Sequence, residues 1–409
     1  METTTEMDVQ TLISVSRRAR EMQGSPIRKL AAYAEARRKS GIKVYFLNIG
    51  QPDLPTSPAV FDAIRKFDEK TIAYAPSNGL NPALSAWKEY YRHNGISFEE
   101  KEMIVTTGGS EAIIMAMIAV CDAGDEIIVF EPFYTNYNGF ASIANIKLRP
   151  LPLSIKNGFH LPPENEIEPY ITTKTKAFII NSPSNPTGAI YTRNEMQRIV
   201  TLAKRHNLFV ISDEAYREFA YESKAVGIMD FPELRDQAIL VDSCSKRFNV
   251  CGARIGVIAS HNADVITSAL KFGQARLSVA TIEQIAVAPL LNNPSPYTTP
   301  IVDEFQRRRD AVYEELKKIP GVTYYKPEGA FYIVIGLPVR DAEHFSKWMI
   351  EEFEYNRETV LLAPGQGFYA TPGKGINEVR LAFMLNVDDL KRSLSILGRA
   401  LEAYANKGY

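Results

Sequence analysis

Residues 177–216 read AFIINSPSNPTGAIYTRNEMQRIVTLAKRHNLFVISDEAY, which is two apolar runs with a helical pattern between them. The runs at residues 177–180 and 208–211 are short and entirely apolar, as is typical of strands that are buried on both faces of a sheet. Thr192 and Glu195 form a capping box, which predicts the start of a helix that runs to about residue 207. Strands separated by helices in this way predict an α/β domain whose sheet is mostly parallel.

The same alternation extends through the middle of the chain and stops near residue 300. Further short runs predict four more strands, at residues 103–107, 126–130, 239–241 and 255–259. A highly charged helical pattern then covers residues 301–319, and the later strands have helices between and after them. We therefore expect a large α/β domain with a helix-flanked sheet at residues 51–300 and a smaller α+β domain at 301–409. Residues 1–50 are helix-rich without a sheet of their own, so we expect them to pack on the smaller domain.

Composition and charge exclude several classes of function. The chain has 409 residues, enough for two domains, and a formal net charge of −1, so no basic surplus favours nucleic acid as a partner. Three cysteines are too few for a disulfide framework and indicate a reducing compartment. Residues 1–10 are polar and acidic, unlike a secretion signal, and no apolar run is long enough to span a membrane. These features predict a soluble, cytoplasmic protein.

Chemically capable residues follow several of the predicted strands. In an open parallel sheet, ligands bind beyond the carboxyl ends of the strands. Gly109 and Ser110, Asn185, Asp213 and residues 243–246 all fall at such ends. This convergence predicts one ligand site at that edge of the sheet.

Three of these positions have both a structural and a ligand-binding interpretation. Glycines 108 and 109 with Ser110 open a helix and suit an anion such as phosphate, although, taken alone, a glycine turn with a serine N-cap is the better explanation. Asn185 precedes Pro186 in a stiff loop that either aims its amide at a ligand or is an ordinary connection. Asp213 ends a buried strand, where it either meets a cation such as a protonated ring nitrogen or caps a helix.

Residues 243–256 read SCSKRFNVCGARIG and contain the most reactive candidate, Lys246. A lysine amine forms imines with aldehydes once its site is desolvated or its charge is opposed. Arg254 offers a planar guanidinium that suits a phosphate. Taken alone, Lys246 would more often be a solvated surface residue, so its assignment depends on the surrounding pattern.

That pattern resembles the fold-type I, class I/II aminotransferases, the aspartate aminotransferase-like family that uses pyridoxal phosphate. The resemblance covers nearly the whole chain, from NIGQPD at residues 48–53 to EVRL at residues 378–381. It rests on the order of three motifs: NPTG at residues 185–188, SDEAY at 212–216, and SCSK at 243–246 with Arg254 eight residues beyond the lysine.

The resemblance implies a role in cofactor chemistry for five residues. Lys246 would hold pyridoxal phosphate as an imine and move a proton between the substrate Cα and the cofactor C4′. Asp213 would pair with the pyridine nitrogen and keep it protonated. Asn185 and Tyr216 would donate to the phenolic oxygen, and Tyr134 would stack on the ring, where many relatives have tryptophan.

The resemblance also assigns residues to the phosphate and to the substrate. The phosphate would be bound by Gly109, Ser110, Ser243, Ser245 and Arg254. Tyr74 would reach the phosphate of the neighbouring subunit, which implies a homodimer with shared active sites. Gly50, Asn185 and Arg380 would bind the substrate, with Arg380 holding its α-carboxylate in a bidentate pair. The simpler interpretations are a core tyrosine at 74, a turn at 50 and a surface ion pair at 380. Relatives also have cis peptide bonds at the positions of Pro132 and Pro186, so we expect both here.

The activity implied is transfer of an α-amino group from an L-amino acid to a 2-oxo acid in two half-reactions with ping-pong kinetics. Arg276 lies in a segment that in relatives approaches the partner's active site, and it would bind the distal carboxylate of glutamate or aspartate. A structural ion pair is the equally good alternative for Arg276. A β-lyase acting on cysteine-type substrates and a non-catalytic regulator are the other functions of this fold, although no added DNA-binding domain fits the chain. The five histidines are scattered, so we expect no metal site.

Overall fold

The computed structural model describes residues 15–408. The polar start at residues 1–10, and with it the beginning of the expected N-terminal segment, lies outside the described residues. Within residues 15–408 there are thirteen strands: β1 (Lys43–Phe46), β2 (Met103–Thr107), β3 (Glu126–Glu131), β4 (Lys147–Pro152), β5 (Thr175–Asn181), β6 (Phe209–Asp213), β7 (Ala238–Ser243), β8 (Ile255–Ala259), β9 (Thr323–Tyr324), β10 (Tyr332–Gly336), β11 (Glu358–Leu361), β12 (Ala363–Pro364) and β13 (Glu378–Ala382).

The same residues contain fourteen α-helices: α1 (Arg17–Glu21), α2 (Ala31–Lys39), α3 (Pro58–Arg65), α4 (Asn81–His93), α5 (Gly108–Val120), α6 (Asn136–Ala144), α7 (Glu164–Ile167), α8 (Arg193–Arg205), α9 (Cys244–Arg247), α10 (Ala263–Arg276), α11 (Thr281–Asn292), α12 (Ser295–Leu316), α13 (Ala342–Glu351) and α14 (Val387–Asn406). The predicted capping box is present at the start of α8. The Thr192 hydroxyl accepts from the Glu195 N–H at 3.3 Å, and the Glu195 carboxylate accepts from the Thr192 N–H at 2.8 Å.

The large domain is built on a seven-stranded sheet in the order β2-β8-β7-β6-β5-β3-β4. Only β8 runs antiparallel to its neighbours, so the expected mostly parallel sheet is confirmed. Alternate residues of β5 point to opposite faces: Ala177 and Ile179 pack in one buried cluster with α5, and Phe178 and Ile180 pack in another with α8. Helices therefore cover both faces, which explains why the strands are apolar throughout rather than alternating.

The C-terminal part forms a smaller α+β domain around the antiparallel sheet β12-β13-β10-β9, which packs against α12, α13 and α14. The N-terminal segment joins it, because β1 pairs in parallel with β11, with Lys43 opposite Glu358 and Phe46 opposite Leu361. The expected fold class is therefore confirmed. The boundary expected at residue 300 falls inside α12, which starts at Ser295, and the exact limits of the domains stay a prediction.

Candidate active site

A cavity of about 500 Å³ lies where the two domains meet, at the carboxyl edge of the large sheet. The fourteen site residues expected from the sequence divide cleanly by position. Tyr74 and Arg276 do not line this cavity. The other twelve do: Gly50, Gly109, Ser110, Tyr134, Asn185, Asp213, Tyr216, Ser243, Ser245, Lys246, Arg254 and Arg380.

Sheet topology brings these residues together. The parallel strands β5, β6 and β7 end at the same edge, where Asn181 pairs with Asp213 and Ser243 follows at the end of the next strand. Strand β8 runs the opposite way, so its start at Ile255 lies at this edge and places Arg254 there. The cavity is thus a consequence of strand direction, and the residues that line it come from positions far apart in the chain.

One end of the cavity is suited to an anion. Helix α5 starts at Gly108, and its first N–H groups lack partners within the helix. Gly108 has a φ of +73°, and a Cβ there would lie 2.5 Å from Arg254 Nη2, so glycine is needed for the guanidinium to approach. The Ser243 and Ser245 hydroxyls are hydrogen-bonded to each other at 2.9 Å beside it. A cation, two hydroxyls and a helix N-terminus are the components of a phosphate site.

Lys246 points into the cavity from the short helix α9, which Ser243 caps by accepting from the Ser245 N–H. Its Nζ donates to the Gly50 carbonyl oxygen at 2.9 Å and lies 3.8 Å from Cys251 Sγ. The next residue, Arg247, is fully buried and forms an ion pair with Asp242. The helix thus directs one basic side chain to the core and leaves the amine of the other facing the cavity.

Asp213 is buried at the end of β6 and has no cationic partner among residues 15–408. Tyr137 Oη donates to its Oδ2 at 2.7 Å, and the Ala215 N–H donates to Oδ1 at 3.3 Å. Burial raises the pKa of this carboxyl to about 6, because the two donors do not offset the loss of water. The observation fits pyridoxal phosphate, whose protonated ring nitrogen would supply the cation that this carboxylate lacks.

Arg380 is a buried cation that makes no ion pair with any described residue; only 1% of it is exposed. Its Nη1 donates to Asn185 Oδ1 at 3.0 Å and its Nη2 donates to the Asn48 carbonyl, but its Nε has no partner. Burial lowers the pKa of the guanidinium. A substrate carboxylate would satisfy both the charge and the remaining donors.

Aromatic hydroxyls complete the wall between Lys246 and Arg380. Tyr216 Oη and Tyr332 Oη share a hydrogen bond of 2.9 Å. A Cβ at Gly50 would lie 1.9 Å from Tyr332 Oη, so Gly50 is required for its backbone to pass this ring. The expected cis bonds before Pro132 and Pro186 are both present, and a third, unexpected one precedes Pro183.

The two residues outside the cavity have different surroundings. Tyr74 is 82% exposed, which excludes the core interpretation. Arg276 is half-buried, with its Nε 3.2 Å from Glu111 Oε1 and its Nη2 donating to the carbonyls of Ser77 and Val105. Arg276 therefore pairs with Glu111 within this chain, and its distal-carboxylate role at a partner's active site stays a prediction.

Several residues in or next to the cavity wall were not identified from the sequence. Tyr137 is the hydroxyl donor to Asp213, and Asn181 fixes two loops by donating to the Asp213 carbonyl and accepting from the Asn185 N–H. Tyr332 lies with its ring 4.5 Å from the Arg380 guanidinium. The only signal for Asn181 was its place at a strand end, which the sequence analysis used for its neighbours.

No group of three or more histidine, cysteine, aspartate or glutamate side chains in residues 15–408 is arranged to hold a metal ion. Among the helices of this described part, none has the length and apolar composition needed to cross a bilayer.

Comparison with known proteins adds the family. The family model for aminotransferases of class I and II matches residues 42–388. The probable aspartate/prephenate aminotransferase of Aquifex aeolicus is 31% identical over 391 residues, which cover 94% of this chain and 98% of that protein. The aspartate aminotransferase of Thermotoga maritima is 32% identical over 386 residues, covering 93% and 97%.

Solved structures share the architecture as well. The Thermotoga maritima aspartate aminotransferase superimposes with a TM-score of 0.87 at 30% identity, covering 95% of this chain and all of that one. An alanine aminotransferase from Pyrococcus furiosus superimposes with the same TM-score at 28% identity and the same coverage. Neighbours named for different amino acids fit equally well, so backbone similarity does not choose a substrate.

Proposed function

The chain belongs to the aminotransferases of class I and II, and we propose that it uses pyridoxal phosphate, bound in the cavity described above, to move the α-amino group of an L-amino acid to a 2-oxo acid. The observation that carries the proposal is a set of unmatched charges. Within residues 15–408, Asp213 is a buried carboxylate without a cation, and Arg380 is a buried cation without a carboxylate. A cofactor ring nitrogen and a substrate carboxylate would match them.

The cavity residues fit the cofactor by their chemistry. Arg254, the two serine hydroxyls and the start of α5 would bind its phosphate, and Tyr134 would stack on its ring. Asn185 and Tyr216 would donate to its phenolic oxygen. When bound, pyridoxal phosphate supplies an electron sink for the charge that develops at the substrate Cα.

The chain's own residues would do the remaining work. Arg380 would fix the substrate through its α-carboxylate and so orient the Cα–H bond. Lys246 Nζ, which faces the cavity beside the Gly50 carbonyl, would take the proton from Cα and deliver a proton to C4′ of the cofactor. The amino group stays behind when the first product leaves, so a second substrate must bind the same residues and ping-pong kinetics follow.

The central test is direct attachment of the cofactor. The purified protein should be yellow, and borohydride reduction should leave the cofactor covalently attached to the peptide that contains Lys246, as seen by mass spectrometry. Attachment at another lysine, or a colourless protein that cannot be reconstituted with pyridoxal phosphate, would contradict the proposal.

Amino donors given without a 2-oxo acid distinguish transamination from lyase chemistry. The protein should then form one equivalent of 2-oxo acid per active site and stop. Continuous release of ammonia and pyruvate from cysteine-type substrates would indicate a β-lyase instead.

The proposal includes a homodimer with shared active sites. Five apolar or aromatic side chains are exposed on two adjacent segments: Phe61, Ile64, Ile72, Tyr74 and Leu277. The Thr281 hydroxyl donates to the Ala73 carbonyl at 2.8 Å and so joins the two segments. Apolar surface of this kind marks interfaces between subunits. A second copy packed here would cover it and bring Tyr74 towards the partner's phosphate site.

Changing Tyr74 to phenylalanine tests this arrangement. Loss of one hydrogen bond to a charged phosphate should weaken cofactor binding about tenfold while the molar mass, measured by light scattering, stays that of a dimer. Tyr325→Phe, at another exposed tyrosine, is the matched control and should leave the dissociation constant unchanged. A monomeric active enzyme, or equal cofactor affinity in both variants, would refute the shared site.

The cytoplasmic location also remains part of the proposal. Cys121, Cys244 and Cys251 are all free thiols, as a reducing compartment requires.

A further inference from the structure

The charged side chains of the cavity wall do not balance. Among the residues that the structure describes, four basic side chains line it, Arg28, Lys246, Arg254 and Arg380, against the single carboxylate of Asp213. The proposed function accounts for four of these five groups: Lys246 reacts, Arg254 binds phosphate, Arg380 binds the α-carboxylate, and Asp213 binds the ring nitrogen. Arg28 is left over.

Arg28 has an exposed side chain and a fixed backbone. It ends a short turn of 3₁₀-helix at residues 26–28, and the side chain of Leu30 just beyond is buried. Pro26 packs so closely on Gly367 that a Cβ on that glycine would lie 2.2 Å from the proline ring. The guanidinium makes no ion pair and no hydrogen bond with any residue in the described range 15–408. The backbone therefore positions a cation at the cavity without giving it a partner.

The position of Arg28 is linked to that of Arg380 through one residue. Asn48 Nδ2 donates to the Ile27 carbonyl at 2.9 Å, and the Asn48 carbonyl accepts from Arg380 Nη2. The segment that presents Arg28 is thus held at a fixed place relative to the guanidinium that would bind the α-carboxylate. Uncharged donors lie on the same wall, namely Ser25, Gln51 and Asn136.

We propose that Arg28 is a specificity-determining residue that binds the distal carboxylate of a dicarboxylic amino acid or 2-oxo acid. The inference rests on the proposed function. A second carboxylate on the substrate gives the Arg28 guanidinium a partner, whereas a neutral side chain leaves it unpaired. Because the contact is the same in the ground state and the transition state, it acts on KM more than on kcat.

The test compares Arg28→Met, which keeps the length of the side chain and removes its charge, with Arg28→Lys and with a neighbouring control. For Arg28→Met, kcat/KM with glutamate should fall about 10- to 100-fold, mainly through KM, and that with alanine should change less than twofold. Arg28→Lys should recover part of the loss. Lys29→Met, which removes an adjacent exposed cation that pairs with Glu343, should leave both values unchanged.

A titration that needs no turnover makes the result independent of the reaction. Succinate should bind the wild-type protein more tightly than butyrate, and Arg28→Met should remove that difference. An unchanged glutamate-to-alanine ratio in Arg28→Met, or a wild type without preference for the dicarboxylate, overturns the inference. A wild type that transaminates no donor contradicts the proposed function, and the succinate titration then still decides the role of Arg28.

Discussion

Replacing Lys246 with alanine should lower kcat by at least about 10³-fold while leaving the protein folded and able to bind pyridoxal phosphate. Lys246 is the only lysine that lines the cavity within the described residues, so no second amine is placed to move the proton at Cα. The cofactor's phosphate and ring would keep their partners, because Arg254, Asp213 and Tyr134 are untouched.

Arginine at the same position separates charge from proton transfer. Lys246→Arg keeps a cation beside the Gly50 carbonyl, but a guanidinium does not release its proton at any working pH, so this variant should be as inactive as alanine. Lys271→Ala, on the exposed surface of α10, is the control and should behave like the wild type. The measurements are kcat, cofactor absorbance and the melting temperature. Retention of more than a few per cent of wild-type kcat in either Lys246 variant would show that Lys246 does not transfer the proton at Cα.

The sequence predicted this site largely through strand direction. Glycines, Asn185, Asp213 and Lys246 could be grouped because each follows a strand of a mostly parallel sheet, and the ends of such strands meet at one edge. That rule needs only the order of elements along the chain. It placed the residues at one cavity without any knowledge of their side-chain contacts.

What the sequence could not predict are the partners that packing brings from distant positions. Tyr137 is 76 residues from Asp213, and Tyr332 is 116 residues from Tyr216, yet each pair shares a hydrogen bond. Arg276 also has a distant partner that the sequence did not indicate. Its local segment suggests a ligand, but the carboxylate of Glu111, 165 residues earlier, lies against it. Local sequence patterns do not predict contacts between residues so far apart in the chain.

The start of helix α12 also could not be predicted from local sequence rules. Pro300 ordinarily marks a helix boundary, yet it lies inside α12, which begins at Ser295. This difference of a few residues did not change which side chains reach the cavity.

The second large effect is expected for Asp213→Asn, which should lower activity and stabilise the protein without its cofactor. An amide cannot hold a proton on the ring nitrogen, so kcat should fall about 10²- to 10³-fold. Asparagine Oδ1 would accept from the Ala215 N–H, and its Nδ2 would donate to the Tyr137 hydroxyl oxygen, which can accept as well as donate, so the local fold should survive. The stability effect follows from the raised pKa of the carboxyl.

Folding stability should depend on pH in a direction that identifies this group. Burial raises the Asp213 pKa from 3.8 to about 6, so the folded state binds the proton more tightly than the unfolded state. The stabilising contribution is therefore complete below pH 4 and is lost as pH rises through 6. This loss is on the order of 3 kcal/mol for the cofactor-free wild type and is absent in Asp213→Asn. Above pH 6 the variant should be the more stable protein.

Urea unfolding of both cofactor-free proteins between pH 4 and pH 8 measures this difference directly. The free energies of unfolding of the wild type and of Asp213→Asn should diverge between pH 4 and about pH 6 and should change in parallel at higher pH. Pyridoxal phosphate should then stabilise the wild type more than the variant, because its ring nitrogen pairs with the carboxylate. Asp242→Asn provides the contrast: its carboxylate already pairs with the buried Arg247, so removing it should cost about 3–5 kcal/mol. Parallel pH profiles for wild type and Asp213→Asn would show that Asp213 is not the unmatched buried charge on which the cofactor assignment depends.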